Sequence, residues 1–230
     1  MHDIISVENL TKRYGQNVVF NNLSFSLPHN RVIGLLGENG IGKTTLLRLM
    51  AGVIKPDSGK VYIDDQVVSQ KTKSQVSFLL APSNLYVFMR VKDAVQYYKD
   101  FHPDFDFDTA IRLCQEFALD LSCKVQNLSK GNQERLCLLL TLSRNVPLYL
   151  FDEPIAGFDP KFKQELLKTI LENISKNATV IISSHLLRDL QSIFDEILIL
   201  KKGEIILTST SNIHAKGKTL EDFYMEIAEK

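Results

Sequence analysis

The sequence lacks any long uninterrupted apolar stretch. Spanning a bilayer as a helix takes about 18 or more consecutive apolar residues, and no segment approaches that length. Residues 1–6 also lack the charged and apolar regions of a secretory signal. The sequence therefore predicts a chain that has no transmembrane helix and stays in the cytosol.

Cysteine is scarce and net charge is zero. Cys114, Cys123 and Cys137 form no Cys-x-x-Cys pair, so we expect reduced thiols on helices, without disulfide or metal roles. The 27 basic and 27 acidic residues cancel, which gives no basic footprint for nucleic acid. With 44% hydrophobic residues, a chain of 230 residues can bury a core as one large domain.

The most informative stretch is a glycine-rich loop at 37–45. It follows the apolar run 31–36 and leads into a helical pattern at 46–51, which is the context of a phosphate-binding loop. Glycines let backbone N–H groups face a polyphosphate, and the helix N-terminus attracts the same anion. Lys43 would reach the β- and γ-phosphates, and the Thr44 hydroxyl would ligate Mg²⁺. The alternative is an ordinary glycine turn before a helix. The predicted phosphate-loop residues are Gly37, Glu38, Asn39, Gly40, Ile41, Gly42, Lys43, Thr44 and Thr45.

Strand and helix patterns alternate along the rest of the chain. The predicted strands are 4–10, 17–27, 60–64, 76–80, 147–151 and 178–183, with a turn at 11–16 and a hairpin of 196–200 with 204–208. The predicted helices are 91–101, 109–119, 129–144, 160–175 and 219–229. This order, with a phosphate loop after a strand, predicts an open α/β sheet with a helical insert as a second lobe.

Alternating aspartates occupy the bridge between the first two lobe helices. Asp104, Asp106 and Asp108 suggest a calcium loop, but no glycine hinge or terminal glutamate follows at the required spacing. We therefore favour a turn in which an aspartate caps the next helix.

Two further groups are expected near the phosphate loop. Asp152 and Glu153 end an apolar strand, where Asp152 would hold Mg²⁺ and Glu153 would polarise the attacking water as general base. His185 follows the next buried strand, so it would emerge at the same sheet edge and contact the γ-phosphate or the water. The alternatives are a capping acidic pair and a surface histidine.

Residues 128–135, Leu-Ser-Lys-Gly-Asn-Gln-Glu-Arg, resemble the signature Leu-Ser-Gly-Gly-Gln-x-Gln-Arg of ABC transporter ATP-binding subunits. The resemblance covers nearly the whole chain, and no other phosphate-loop ATPase family has this element. It implies that the loop residues bind ATP and that a signature acts on the ATP held by the other subunit. The signature residues are Ser129, Lys130, Gly131 and Asn132. Taken alone, Ser129 is simply a helix N-cap.

Other positions extend the resemblance. Tyr14 resembles the aromatic residue that stacks on adenine, Asp159 the interface residue after the catalytic glutamate, and His185 the switch histidine. Lys130 and the Pro-Asp-Phe-Asp segment at 103–106 are similar to bacterial exporters whose ATPase and membrane subunits are separate chains.

Three positions depart from the family pattern. Lys130 replaces a glycine and Asn132 a glutamine of the signature. Ala81 stands where the family has a glutamine, and it can neither ligate Mg²⁺ nor orient water. Ser83 and Asn84 are nearby polar residues but lie out of register.

The resemblance implies an α/β fold with a phosphate-loop NTPase core on a mostly parallel sheet, an N-terminal antiparallel β subdomain and a helical signature lobe. We expect a single domain, with core residues 1–83 and about 129–230 and lobe residues about 84–128. The implied function is Mg²⁺-dependent ATP hydrolysis by a dimer around two ATP molecules. This dimer would power an exporter from the cytoplasmic face, with transmembrane permease subunits as partners.

Two other functions are considered. The first is an ATP-dependent dimerisation or regulatory module with weak hydrolysis, as Ala81 suggests. The second is action on DNA or ribosomes, which the balanced charge and the lack of coiled-coil insertions disfavour.

Overall fold

A computed structural model describes residues 3–79, 85–155, 160–175, 177–184, 191–202 and 204–228. Over these ranges each helix is too short or too polar to cross a membrane. The strands are β1 (Asp3–Tyr14), β2 (Asn17–Pro28), β3 (Val32–Leu36), β4 (Ser58–Ile63), β5 (Gln66–Val67), β6 (Val76–Leu79), β7 (Leu148–Asp152), β8 (Thr179–Ser183), β9 (Glu196–Lys201) and β10 (Glu204–Ser209). The helices are α1 (Lys43–Met50), α2 (Val91–Phe101), α3 (Phe107–Glu116), α4 (Lys130–Leu142), α5 (Pro160–Asn173), α6 (Thr210–Ala215) and α7 (Leu220–Ala228).

The strands form two sheets, which confirms the predicted mixed α/β fold. An antiparallel sheet has the order β2-β1-β4-β5, and a second sheet has the order β10-β9-β3-β8-β7-β6. In the second sheet all neighbours are parallel except β9 and β10. Parallel strands end at one edge, so the loop after β3, Asp152 on β7 and Ser183 on β8 come together there.

Alternation along the central strands divides the core into two layers. Leu150 and Ile181 face the layer shared with α1 and the antiparallel sheet. Their neighbours Phe151 and Ile182 face the layer shared with the helices α2 to α5. Strands buried on both faces need continuous apolar runs, and β7 and β8 are buried along their whole length. This burial holds in place the ends of β7 and β8, where the acidic pair and Ser183 lie.

The helical lobe packs α2 and α3 against α4. Val95, Leu113 and Leu136, one from each helix, are fully buried together. The capping interpretation of the alternating aspartates is confirmed, because Asp106 is the N-cap of α3 and its Oδ1 accepts from the Thr109 N–H at 3.0 Å. The cap starts α3 at Phe107, two residues before the predicted start.

Two local predictions are wrong, and one short helix was not predicted. β1 continues through the predicted turn to Tyr14, because Lys12, Arg13 and Tyr14 pair with β2 and only residues 15–16 turn. The short helix α6 was not predicted, and it starts where Ser209 caps the Asn212 N–H at 3.2 Å. Cys123 lies outside the helices, whereas Cys114 is buried on α3, where burial raises the pKa of its thiol to about 11. None of the three cysteines, all of which lie in the described ranges, forms a disulfide.

Candidate phosphate-binding site

A cavity of about 230 Å³ lies at the C-terminal edge of the central sheet. It is bounded by the glycine-rich loop, by the start of α1 and by the end of β7. Its lining residues are Asn39, Gly40, Gly42, Lys43, Thr44, Thr45, Asp152 and Glu153. The structure thus brings the predicted loop and the predicted acidic pair into one site.

Gly42 sets the entrance to α1. It is the N-cap residue at φ +118°, and no side chain caps this helix end within the described ranges. A Cβ at this position would lie 2.7 Å from Val19 Cγ1, so a side chain has neither the conformation nor the space. The first N–H groups of α1 have no intrahelical partners and adjoin the cavity. A close-packed cradle of this kind suits a polyphosphate anion.

Lys43 places a buried cation at this cavity. The residue is 6% exposed, and its Nζ donates to the carbonyls of Gly37 at 2.7 Å and Glu38 at 3.2 Å. Burial lowers its pKa, and the negative charges of Glu153 and Asp152 partly oppose this shift. The Glu153 Oε1 atom is 4.0 Å from Nζ. A buried ammonium held mainly by carbonyl oxygens suits a phosphate ligand.

Ser183 organises the acidic pair. Its hydroxyl donates to Asp152 Oδ1 at 2.7 Å and accepts from the Glu153 N–H at 3.0 Å. β7 and β8 pair Asp152 directly with Ser183, and both residues are buried. Glu153 has φ +50°, so the chain turns sharply after Asp152. No role was predicted for Ser183, although its position at the end of the neighbouring strand was a usable signal.

The oxygen donors at the site fit a magnesium ion. The Asp152 carboxylate and the Thr44 hydroxyl are hard oxygen ligands, and both residues line the cavity. Among the described residues, no three His, Cys, Asp or Glu side chains gather as a metal site. Magnesium commonly keeps water ligands and takes one or two carboxylates, so this limited donor set is adequate.

The remaining loop residues face elsewhere. Glu38 and Ile41 line a neighbouring cavity of about 130 Å³ together with Tyr224 and Ile227 of α7. Tyr14 is half-exposed, with Lys12 Nζ 5.5 Å from its ring centroid. It ends β1 and pairs with Asn17, the first residue of β2, and Val19 and Phe20 of β2 lie beside Gly42.

The signature residues form a separate surface. Ser129 is the N-cap of α4, and its hydroxyl accepts from the Asn132 N–H at 3.3 Å. The Lys130 side chain is 91% exposed, and its Nζ lies 3.9 Å from Glu134 Oε1. The Asn132 amide oxygen accepts from Arg135 at 3.2 Å, and Gly131 is half-buried beside it in the chain. None of the residues 129–132 lines the phosphate cavity.

Some predicted residues lie outside the described ranges. They are Ala81, Ser83, Asn84, Asp159 and His185. Their assignments remain predictions.

The fold and the cavity define an α/β phosphate-loop nucleotide-binding protein. A family model described as ABC transporter matches residues 20–156. The chain therefore belongs to the ABC transporter family, as one of its ATP-binding, ATP-hydrolysing subunits.

Individual relatives agree with this family. The phosphonates import ATP-binding protein of Fusobacterium nucleatum is 29% identical, over 92% of this chain and 94% of its own. The lipopolysaccharide export system ATP-binding protein of Haemophilus influenzae is 28% identical, over 90% of each chain. A solved structure of an ABC transporter ATP-binding subunit superposes with a TM-score of 0.87 at 22% identity, covering 98% of this chain and 99% of the other. Importers and exporters both occur among the relatives.

Proposed function

We propose that the chain hydrolyses ATP in a head-to-tail pair with a second ATP-binding subunit, so that each ATP lies between the phosphate loop of one subunit and the signature of the other. The carrying observation is that the phosphate loop and the signature, the two elements that we propose contact phosphate, lie apart. The loop, Lys43 and the end of β7 share a cavity, whereas Ser129 and its helix start belong to an exposed surface elsewhere. Two copies related by a two-fold axis would complete two sites.

Each residue of the site has a chemical role in this proposal. Lys43 and the first N–H groups of α1 hold the phosphates, while Thr44 and Asp152 hold Mg²⁺. Bound Mg²⁺ neutralises charge on the phosphate oxygens. Glu153 orients and polarises the attacking water, because its carboxylate adjoins the cavity beside Lys43. The further proposed roles are adenine stacking by Tyr14, γ-phosphate contact by His185 and a dimer contact by Asp159.

We propose that the transmembrane permease subunits bind to the helical lobe. Tyr86 and Phe88 are 51% and 66% exposed and touch each other with ring centroids 5.6 Å apart. Tyr98 is partly buried and packs against the core, where burial raises its pKa to about 12, so it is not available as an exposed aromatic. An exposed aromatic pair on a transporter subunit suits a permease surface. This docking would keep the subunit at the cytoplasmic face of the membrane.

We further propose export as the direction of transport and a single ATPase domain, with core residues 1–83 and about 129–230 and lobe residues about 84–128. Lys130 and the segment 103–106 support export, because both are similar to the exporter branch. Transport by the membrane-reconstituted complex, with ATP supplied on one side only, measures the direction.

The first test is Glu153→Gln. Losing the general base is expected to lower the ATPase kcat by ~10²–10⁴-fold while nucleotide binding persists. ATP-dependent dimers should then accumulate in light-scattering measurements, because hydrolysis no longer opens them. Equal ATPase rates in variant and wild type would contradict the enzymatic proposal and favour a dimerisation module.

The second test is Ser129→Arg, made alone and together with Glu153→Gln. A bulky cation at the exposed cap should leave nucleotide binding by the monomer intact and abolish dimerisation. Ser69→Arg is the matched control, because Ser69 is also an exposed serine whose hydroxyl accepts from a backbone N–H, that of Lys71 at 3.3 Å, on the segment after β5. This control should dimerise like wild type. Persistent dimers in the Ser129→Arg variant would show that the signature does not meet a partner.

A further inference from the structure

Arg144 lies two residues after the end of α4, the signature helix that starts next to Ser129, and is the most deeply buried arginine among the described residues. It is 5% exposed, and its guanidinium donates four hydrogen bonds. Nε and Nη2 donate to the two carboxylate oxygens of Asp104 at 2.5 and 3.0 Å. Nη1 donates to the Val76 carbonyl and Nη2 to the Ser74 carbonyl, each at 3.1 Å. A buried guanidinium so fully engaged fixes the position of everything it touches.

Arg144 and its partners belong to three different parts of the molecule. Asp104 lies on the link between α2 and α3, so it represents the helical lobe. Val76 begins β6, the edge strand that pairs with β7. Arg144 itself continues from α4, the helix that starts at the signature. One side chain therefore joins the signature helix, the lobe and the sheet that carries Asp152.

Residues around Arg144 also donate hydrogen bonds to the carbonyl groups at the end of α4. A helix leaves its last carbonyls without intrahelical partners. Here the Ser77 hydroxyl donates to the Thr141 carbonyl at 2.9 Å, and the Asp106 N–H donates to the Ser143 carbonyl at 2.7 Å. The Tyr149 hydroxyl donates to the Arg144 carbonyl. The C-terminal end of α4 is thus bonded to β6, to β7 and to the lobe.

We infer that Arg144 is a positioning residue for ATP hydrolysis, which holds the signature helix in register with the paired strands β6 and β7, of which β7 ends at the acidic pair. This inference rests on the proposed role of the signature. The exposed start of α4 must present Ser129 to a partner at a defined place, and its opposite end is fastened to the β6–β7 pair. A misplacement of about 1 Å at a reacting site can cost about 100-fold in rate.

The decisive experiment compares Arg144→Met with wild type. Nucleotide affinity of the monomer should change less than twofold, because no contact of Arg144 lies in the phosphate cavity. The ATPase kcat should fall at least tenfold at nearly constant KM. In the Glu153→Gln background, ATP-dependent dimerisation should weaken by a similar factor. Lys168→Met is the matched control, because it removes an exposed ion pair on α5 (Lys168 Nζ to Glu172 Oε1, 3.7 Å) and should change neither quantity.

Two milder variants keep the test decisive if Arg144→Met fails to fold. Arg144→Lys retains the charge beside Asp104 but has three N–H donors in place of the four bonds that the guanidinium makes and cannot bind the carboxylate in the bidentate geometry, so its kcat should lie between wild type and Arg144→Met. Asp104→Asn retains an acceptor and leaves the carbonyl bonds, so its loss should be smaller still. Wild-type kcat in a folded Arg144→Met or Arg144→Lys variant overturns the inference, as does an equal loss of nucleotide affinity and kcat.

The two proposals fail in different ways. If Ser129→Arg keeps wild-type ATPase activity, the proposed contact across the dimer fails. If Ser129→Arg loses activity while Arg144→Met keeps it, only the role of Arg144 fails.

Discussion

The starts of α1 and α4 both carry backbone N–H groups without intrahelical partners, but in opposite settings. α1 begins at Gly42, without a side-chain cap within the described ranges, and its first residue, Lys43, is buried. α4 begins at Ser129, whose hydroxyl already caps it, and its first residue, Lys130, is almost fully exposed. An uncapped, close-packed helix start leaves N–H groups that water or a ligand must satisfy. A self-capped, exposed start is stable alone and is free to meet another molecule.

The contrast distinguishes the phosphate cavity, which the folded chain forms by itself, from the signature surface, which we propose acts only in a pair of subunits. The phosphate cavity is shaped by close packing, so changes there should affect the isolated chain. Residues of the signature surface are exposed and make few packing contacts. Substitutions there should therefore have effects only when ATP and a partner subunit are present. Substitutions at each helix start can therefore test the contrast directly.

Gly42→Ala should give the largest effect on the isolated chain. The added Cβ would lie 2.7 Å from Val19 Cγ1 and 2.9 Å from Phe20 Cζ, at a φ of +118°. Backbone strain of about 1–3 kcal/mol and overpacking of about 1–3 kcal/mol predict a loss of about 2–6 kcal/mol in the free energy of unfolding. Urea denaturation measures it.

Gly40→Ala is the matched control for this substitution. Gly40 also has positive φ, +79°, but a Cβ there meets no atom within 4 Å. It should therefore cost only the backbone strain, about 1–2 kcal/mol. Equal losses in the two variants would show that packing against β2 does not shape the loop.

Lys43→Ala should remove most of the affinity for nucleotide. A hydrogen bond to a charged group contributes about 1.5–3 kcal/mol, so we expect a roughly 10- to 100-fold rise in Kd for ATP, measured by isothermal titration calorimetry. Lys168→Ala, which removes an exposed lysine of α5, should leave Kd unchanged. Unchanged affinity in Lys43→Ala would disprove the assignment of the loop.

Local patterns were sufficient to predict much of this fold. The bounds of α2 were predicted without error, because its apolar residues recur at helical spacing, and the loop–helix start was recognised from its glycines. The end of β1 was missed because its length depends on pairing with β2, which the local sequence of residues 11–14 does not reveal.

Within the site, too, local sequence patterns revealed some residues and missed others. Asp152 and Glu153 were found because two carboxylates end an apolar strand. Ser183 was missed because its contact with Asp152 exists only after β7 and β8 pair in register. The bonds of Arg144 to Ser74 and Val76 were missed for a similar reason, since they join residues about 70 positions apart. Tertiary pairing, more than local pattern, determines these contacts.

Ser183→Ala should moderately lower both the stability of the protein and its ATPase activity. It leaves a buried Asp152 oxygen and the Glu153 N–H without their partner, which predicts a loss of about 1–3 kcal/mol in the free energy of unfolding. Displacing a proposed metal ligand predicts a roughly tenfold fall in kcat or in apparent Mg²⁺ affinity.

Thr179→Val provides the control on the same strand. Thr179 is also buried; its hydroxyl accepts from the Asn30 N–H at 2.9 Å and donates to the Pro28 carbonyl at 3.3 Å, at the far end of β8. Both variants should melt at lower temperature, but only Ser183→Ala should change the ATPase rate. Equal rates in the two variants would mean that Ser183 does not position the acidic pair.

Lys130→Ala should give the smallest effect, and it tests the other side of the contrast. The side chain is 91% exposed and its ion pair with Glu134 is long at 3.9 Å, so the melting temperature and monomer affinity for ATP should match wild type. In the Glu153→Gln background, ATP-dependent dimerisation should change by at most about fivefold and become less sensitive to salt, because one cation near the partner's phosphates is gone. Sedimentation at two salt concentrations measures this. A changed melting temperature would show that the start of α4 contributes to the stability of the isolated chain, as the start of α1 does.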